Sequence, residues 1–187
     1  MGHSQAEKAQ NRERILAEAS QQVRRDGLES VSVGSLMKSV GLTHGGFYGH
    51  FESRSALLEE ALQRALLEGE ANAQASGSPE RLSDIVRGYL SRTHRDARDS
   101  GCAMAALVSD VARADEGPRT IMTGYVESFI ASVAKTLDGD EERAIFAVSA
   151  LVGALTLARV VADPARSDAI LKVVRDHLIA LEPDVTP

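Results

Sequence analysis

The chain has 187 residues and a mass of 20.0 kDa, long enough to bury a core without covalent staples. Apolar residues make up 43% and charged residues 26%, which excludes wholesale disorder, and the single cysteine excludes a disulfide framework and a cysteine-built zinc site. A net charge of −6 argues against a surface that attracts nucleic acid as a whole, yet residues 1–55 carry a net +1 and the remainder −7, so two parts with different tasks are expected.

Helical periodicity runs nearly throughout, and no alternating strand pattern stands out. Ile15, Ala19 and Val23, four apart, predict a first helix from about Ala6 to Arg25, stopped where Gly27 supplies a left-handed cap. A short helix follows over Val33–Val40, then a tight turn at Gly41-Leu42. The next short segment, His44 to Phe51, sets Phe47 and Phe51 one turn apart. Ser53 is the candidate cap of a longer helix bearing Leu57, Leu58, Ala61, Leu62, Ala65 and Leu66. After a break at Ala75–Pro79, Ser78 as cap and Pro79 as first helical residue predict a helix carrying Leu82 to Leu90 and ending near Ser100. Cys102–Ala114 forms the next. Pro118 opens a helix with Met122, Tyr125, Phe129 and Val133. Glu141 and Glu142 suit the first turn of a helix that is apolar nearly all round from Ala144 to Ala162. Asp163-Pro164 starts the last, with Ile170, Val174, Leu178 and Leu181. The expectation is an all-α chain of about nine helices: a three-helix unit over residues 1–52 and a larger helical unit over 53–187.

The two short segments joined by Gly41-Leu42 form a helix-turn-helix candidate. A reading element must be small enough to enter a major groove about 12 Å wide, with an apolar back to pack behind it. Leu36, Val40, Leu42, Phe47 and Phe51 supply that back. The other face is polar. Thr43 and Ser53 stand at helix starts, Tyr48 and His50 are donors to phosphate oxygens, Arg54 is a cation for the backbone, and His44 is the side chain best placed for a base edge. Gly45, Gly46 and Gly49 crowd the segment, although each costs a helix about 1 kcal/mol relative to alanine. Close approach to DNA accounts for them, and readout of DNA shape then carries much of the specificity.

Gly41-Leu42-Thr43-His44-Gly45-Gly46-Phe47-Tyr48-Gly49-His50-Phe51, with Ser53-Arg54 and Leu57-Leu58 after it, resembles the DNA-binding signature of TetR/AcrR-family transcriptional regulators. Arg12-Glu13-Arg14-Ile15-Leu16, Gly27-Leu28 and Val33-Gly34 extend the resemblance, which covers about residues 8–66. It implies a homodimer that binds a palindromic double-stranded DNA operator and releases it when a small-molecule inducer enters the C-terminal domain. The family commonly has Lys where Arg54 stands, and a larger residue where Gly46 or Gly49 stands.

The ligand side carries less signal. Cys102 follows Gly101 at an expected helix start, a position that favours a thiolate, although a small buried hydrophobe is the more ordinary reading of such a residue. The run from Gly101 to Leu107 is similar to a segment of regulators that include electrophile and oxidant sensors, so a thiol sensor triggered at Cys102 stands beside a reversible apolar inducer. Met104, Leu107, Met122, Tyr125, Phe129 and Phe146 are candidate pocket residues, with plain core as the alternative for each. His94, among Arg92, Arg95 and Arg98, and His177 read as solvated-face residues, and no metal-ligand spacing is present. Small residues every four along the apolar helix permit close helix approach, so a four-helix dimer bundle is expected through Leu151, Ala154, Leu155 and Ala158 with Ile170, Val174 and Leu178. No catalytic triad order, Walker loop or dinucleotide fingerprint appears, so no enzyme and no cofactor are expected. The longest apolar stretch, Ala144–Ala158, falls short of the roughly 20 residues a bilayer needs. With no secretory signal in view, a cytoplasmic protein with no membrane partner is expected.

Overall fold

The computed structural model describes residues 5–74 and 79–182 of the chain. Among these residues it has nine α-helices, two 3-10 segments and no strand. The helices are α1 (Gln5–Asp26), α2 (Val33–Ser39), α3 (Arg54–Gln74), α4 (Leu82–Tyr89), α5 (Arg92–Asp96), α6 (Ala103–Val111), α7 (Glu116–Lys135), α8 (Glu141–Val160) and α9 (Pro164–Ile179). The 3-10 segments are Leu28–Ser30 and His44–Gly49.

The apolar spacing read from the sequence builds the core. Ile15, Ala19 and Val23 on α1, Leu36 and Met37 on α2, Phe47, and Leu57, Ala61, Leu62 and Ala65 on α3 are all fully buried. The α1 helix lies along α3, and α2 packs across α1. Gly27 ends α1 with a φ of 92° and Gly41 ends the α2 turn with a φ of 73°, backbone settings that a side chain resists. The second half packs α8 between α7 and α9, with α4 against α9.

Three boundaries differ from the sequence reading. The helix expected to run from Pro79 to about Ser100 is two helices, α4 and α5, because the chain turns at Leu90 and Ser91 starts again by capping the His94 N–H through its hydroxyl at 3.1 Å. The α4 helix begins at Leu82, after Arg81, and Glu182 from the chain's far end accepts the Ser83 N–H at 2.6 Å; Ser78, expected as the cap, lies outside the described residues. His44–Gly49 winds as a tighter 3-10 segment, as suits six residues of which three are glycine.

The expected dimer residues need correction. Leu151, Ala154, Leu155, Ala158 and Leu178 face the chain's own core and are buried, so no second chain can reach them. The opposite side of α8 is the open one: Ile145, Phe146, Leu157 and Val160 are exposed there, as is Val173 on α9, while Ile170 and Val174 are half-buried. By length and composition α8 also passes as a membrane-spanning helix. Its packing between α7 and α9 explains the apolar residues on its inner side, and the exposed stripe carries the rest.

Candidate functional site

The His44–Gly49 segment is set by one anchor. Phe47 is fully buried, stacked on Phe51 at 5.7 Å, and Tyr48 meets its edge at 5.3 Å. With Phe47 pointing in, its neighbours point out. Thr43, His44, Gly45 and Gly49 are exposed and Tyr48 is 69% exposed, so these residues share one polar face. Gly46 is half-buried, and a Cβ there would sit in ordinary contact with Thr43 and Met37. At Gly45 and Gly49 a Cβ would meet nothing within 4 Å. No steric demand of the chain itself calls for glycine at these two positions.

The remaining candidates are turned to the protein. Ser53 accepts the Ala56 N–H at 3.0 Å and so caps α3. Arg54 donates to the Val31 carbonyl at 2.9 Å, to the Glu29 carbonyl at 3.2 Å and to the Glu29 carboxylate at 3.1 Å. It ties the start of α3 to the turn before α2. His50 is half-buried with its Nδ1 away from solvent, and its carbonyl accepts from Arg12. Arg12 lies over the Phe51 ring at 4.7 Å and pairs with Glu60 at 2.6 Å, while Arg14 holds the Val40 carbonyl at 2.5 Å. Sequence reasoning passed over Ser35 and Lys38, which are exposed on α2. Their place was legible: with Leu36 and Val40 inward, a period of 3.6 turns both outward.

The second cluster centres on Cys102. Its thiol lies 3.0 Å from the Tyr89 hydroxyl and accepts the Ala105 N–H at 3.3 Å, which makes it the cap of α6. The Cys102 N–H donates to His94 Nε2 at 3.1 Å. Since that nitrogen accepts, Nδ1 carries the proton and donates it to the Tyr89 carbonyl at 2.8 Å. His94 is therefore no solvated-face residue but a neutral bridge, and burial pushes its pKa below the ordinary value. Burial also lifts the Tyr89 pKa well above its usual value, with the nearby Cys102 adding to it. Tyr125 is raised for the same two reasons. Arg159 of α8 donates to the carbonyls of Arg95 and His94 at 3.0 Å each and of Ala97 at 3.4 Å.

Of the expected pocket residues, Cys102, Met104, Leu107 and Met122 are buried together with half-buried Tyr125 and Phe129, and Phe129 stacks on Tyr89 at 5.7 Å. Phe146 does not join them; at 59% exposure it belongs to the open stripe of α8. Sequence reasoning missed Tyr89 and Arg159 as partners of Cys102, because only the fold brings residues this far apart in the chain together.

Two contacts link the clusters. Arg24, buried on α1, donates to the Asp99 carbonyl at 2.7 Å and to the Ala65 carbonyl at 3.2 Å, and pairs with Glu68 at 2.8 Å. At the far end of α6, Asp110 accepts the Leu28 N–H at 3.2 Å. A Cβ on Gly27 would lie 2.6 Å from that carboxylate, so glycine also clears its approach.

Residues 15–61 match the family model for bacterial regulatory proteins of the tetR family. The chain is 27% identical over 124 residues to the nucleoid occlusion factor SlmA of Actinobacillus pleuropneumoniae, covering 62% of this chain and 53% of that protein, so it spans about half the length of that relative. It is 28% identical across an alignment of 193 residues to an HTH-type transcriptional regulator of Mycobacterium tuberculosis, covering 92% and 96% of the two. Among solved structures, its fold is similar to that of Escherichia coli NemR in the reduced form, with a TM-score of 0.77 and 20% identity over 95% of this chain and 100% of that one.

Proposed function

We propose that this chain, whose residues 15–61 match the tetR-family model, is a dimeric TetR-family repressor that leaves a palindromic operator when a small molecule reaches the region around Cys102. The observation that carries the reading is the polar face of Thr43, His44, Gly45, Tyr48 and Gly49 standing over a buried Phe47. Tyr48 donates to a phosphate oxygen and His44 reads a base edge. Gly45 and Gly49 let the protein backbone close on the duplex. A cytoplasmic setting is part of the same reading.

The dimer uses the open stripe of Ile145, Phe146, Leu157 and Val160 with Val173 beside it. An exposed apolar strip on two neighbouring helices is what a four-helix interface between twofold-related copies requires. Two copies then set two reading segments about one DNA turn apart.

Release runs through α6. Its first turn is capped by Cys102 and its last holds Leu28 through Asp110. A ligand that parts Tyr89, Cys102, Tyr125 and Phe129 shifts the helix that grips the end of α1. A gel shift with DNA from upstream of the chain's own gene tests the reading. A specific shift lost in Tyr48→Ala supports it; equal binding by both proteins sinks it.

A second reading has its own observation. The only cysteine sits at the start of that same helix with a tyrosine hydroxyl 3.0 Å away. An electrophile or oxidant that modifies the sulfur removes the α6 cap and forces the helix to move. If Cys102→Ser leaves the response to thiol reagents intact, the trigger is not the thiol.

A further inference from the structure

A cavity of about 180 Å³ opens between α5 and the α8–α9 junction, walled by Arg95, Asp96, Arg98, Arg159 and Ser167. It lies apart from the residues assigned above to the DNA face, and it adjoins the Cys102 cluster through Arg159. Its charges do not balance. Arg95 is neutralised twice, by Asp96 at 2.7 Å and by Asp168 at 2.8 Å, and Asp168 also serves Arg92. That uses both carboxylates. Among the described residues Arg98 makes no side-chain hydrogen bond or ion pair and feels Asp96 only at a distance, and Arg159 has no ion pair.

Arg159 sharpens the imbalance. Its guanidinium spends Nε and Nη2 on three backbone carbonyls, and Nη1 makes no bond among the described residues. Burial is the main reason its pKa is lowered; Cys102, Tyr89 and Asp96 pull it back up, and repulsion from Arg98 adds to the lowering. Asp96 acts on Arg98 and Arg159 as well, but it already pairs with Arg95, so among the described residues positive charge is in excess in this concave wall. Guanidinium forks match the planar edge of a carboxylate or phosphate better than any other side chain. The volume holds a tetrahedral oxyanion, since a water takes about 30 Å³ in the liquid.

We propose that this cavity is an anion site, which takes the phosphate or carboxylate group of a small metabolite between Arg98 and Arg159. Ser167 lines the floor, its hydroxyl already donated to the Ala158 carbonyl at 2.6 Å and accepting from Arg95 at 2.9 Å. An occupant is felt beyond the cavity, because Arg159 also holds the carbonyls of residues 94, 95 and 97 that precede Cys102. The site stands whether or not the operator reading holds.

Thermal unfolding and titration calorimetry of the full chain test it, with inorganic phosphate in one arm and acetate in the other, against chloride at matched ionic strength. The wild type should show a saturating rise of a few degrees in Tm with at least one of the two anions, and the responding arm identifies the head group. Arg98→Gln should fold normally, since it breaks no hydrogen bond or ion pair among the described residues, and should abolish both the rise and the heat of binding. Arg87→Gln, which removes the same charge from an exposed position on α4, should respond as the wild type does. Equal responses in all three proteins, or no response to either anion in the wild type, would overturn the site.

Discussion

The two halves of the chain solve opposite problems with the same helices. In the first 60 residues the polar face is open and the groups behind it are tied down: Arg12, Arg14 and Arg54 each hold a backbone carbonyl, and Tyr48 is left exposed. In the second half the polar groups are folded inward on one another, as Tyr89, His94, Cys102 and Arg159 are, and it is apolar surface that stays open. A surface meant for a polyanion keeps its donors free. On the proposed function, the surface for a second copy of the chain keeps its hydrocarbon free, and the sensing region keeps its polar groups satisfied.

The contrast is broken most strongly on α8, where two residues five positions apart face opposite ways. Leu151 is fully buried, so Leu151→Ala should cost about 2–5 kcal/mol of folding stability, read from denaturant midpoints. Phe146→Asp should leave secondary structure intact and turn a dimer into a monomer, read by light scattering. A dimer that survives Phe146→Asp moves the interface away from the open stripe.

A split of similar kind, and next in size, is expected between two residues near the helix-turn-helix. Tyr48→Phe removes the hydroxyl donor but keeps the ring's edge contact with Phe47, and should weaken operator binding by about 1.5–3 kcal/mol per half-site, the worth of a hydrogen bond to a charged group, with Tm unchanged. Arg54→Ala should do the reverse, lowering stability by about 1–3 kcal/mol because the Val31 and Glu29 carbonyls lose their donor. Unfolding midpoints and fluorescence anisotropy on one DNA duplex read both. An Arg54→Ala protein with full stability and weak binding would return Arg54 to the DNA backbone.

The same contrast explains what the sequence made legible. The 3.6-residue period placed Ile15, Val23, Leu36 and Phe47 inward, and with Phe47 inward the exposure of Tyr48 followed. DNA imposes one chemistry on every protein that reads it, so the motif is compact in the chain. Arg54's bonds within the protein were not legible, because an arginine's reach lets it turn to a carbonyl 23 residues away as easily as to a phosphate. On α8 the small residues Ala154 and Ala158 did mark a close helix approach, but to helices of the same chain. A helix apolar on all sides cannot by its pattern alone say which side meets its own core. His94 was missed because its value comes from Tyr89 and Cys102 on either side, a pairing made by the turn at Leu90.

The inward-folded half should also respond to acid. The His94 pKa is lowered in the folded chain, chiefly by burial, so the unfolded chain binds the proton more readily. Stability from this group is complete above about pH 6.5 and is lost as pH falls below it towards the folded value. The loss is bounded by about 1.4 kcal/mol per unit separating the two values. Protonated Nε2 would face the Cys102 N–H as a second donor, and Arg159 nearby opposes the charge. His94→Gln should flatten the Tm profile between pH 7.5 and 5.5; a profile identical to the wild type's would mean the ring does not titrate as placed.

The smallest effects should have opposite signs in one protein. Gly45 and Gly49 have room for a methyl group and no positive φ, so alanine fits the fold. Alanine loses less backbone entropy than glycine on folding, and each change should therefore raise stability by up to about 1 kcal/mol. The same methyl group stands on the face that Tyr48 and His44 share, where it holds the backbone off the duplex. Operator affinity should fall while Tm rises, measured on Gly45→Ala, Gly49→Ala and the double variant. A gain in stability without loss of affinity would mean that the glycines are not there for clearance, and the reading face would have to be drawn towards Ser35 and Lys38 on α2 instead.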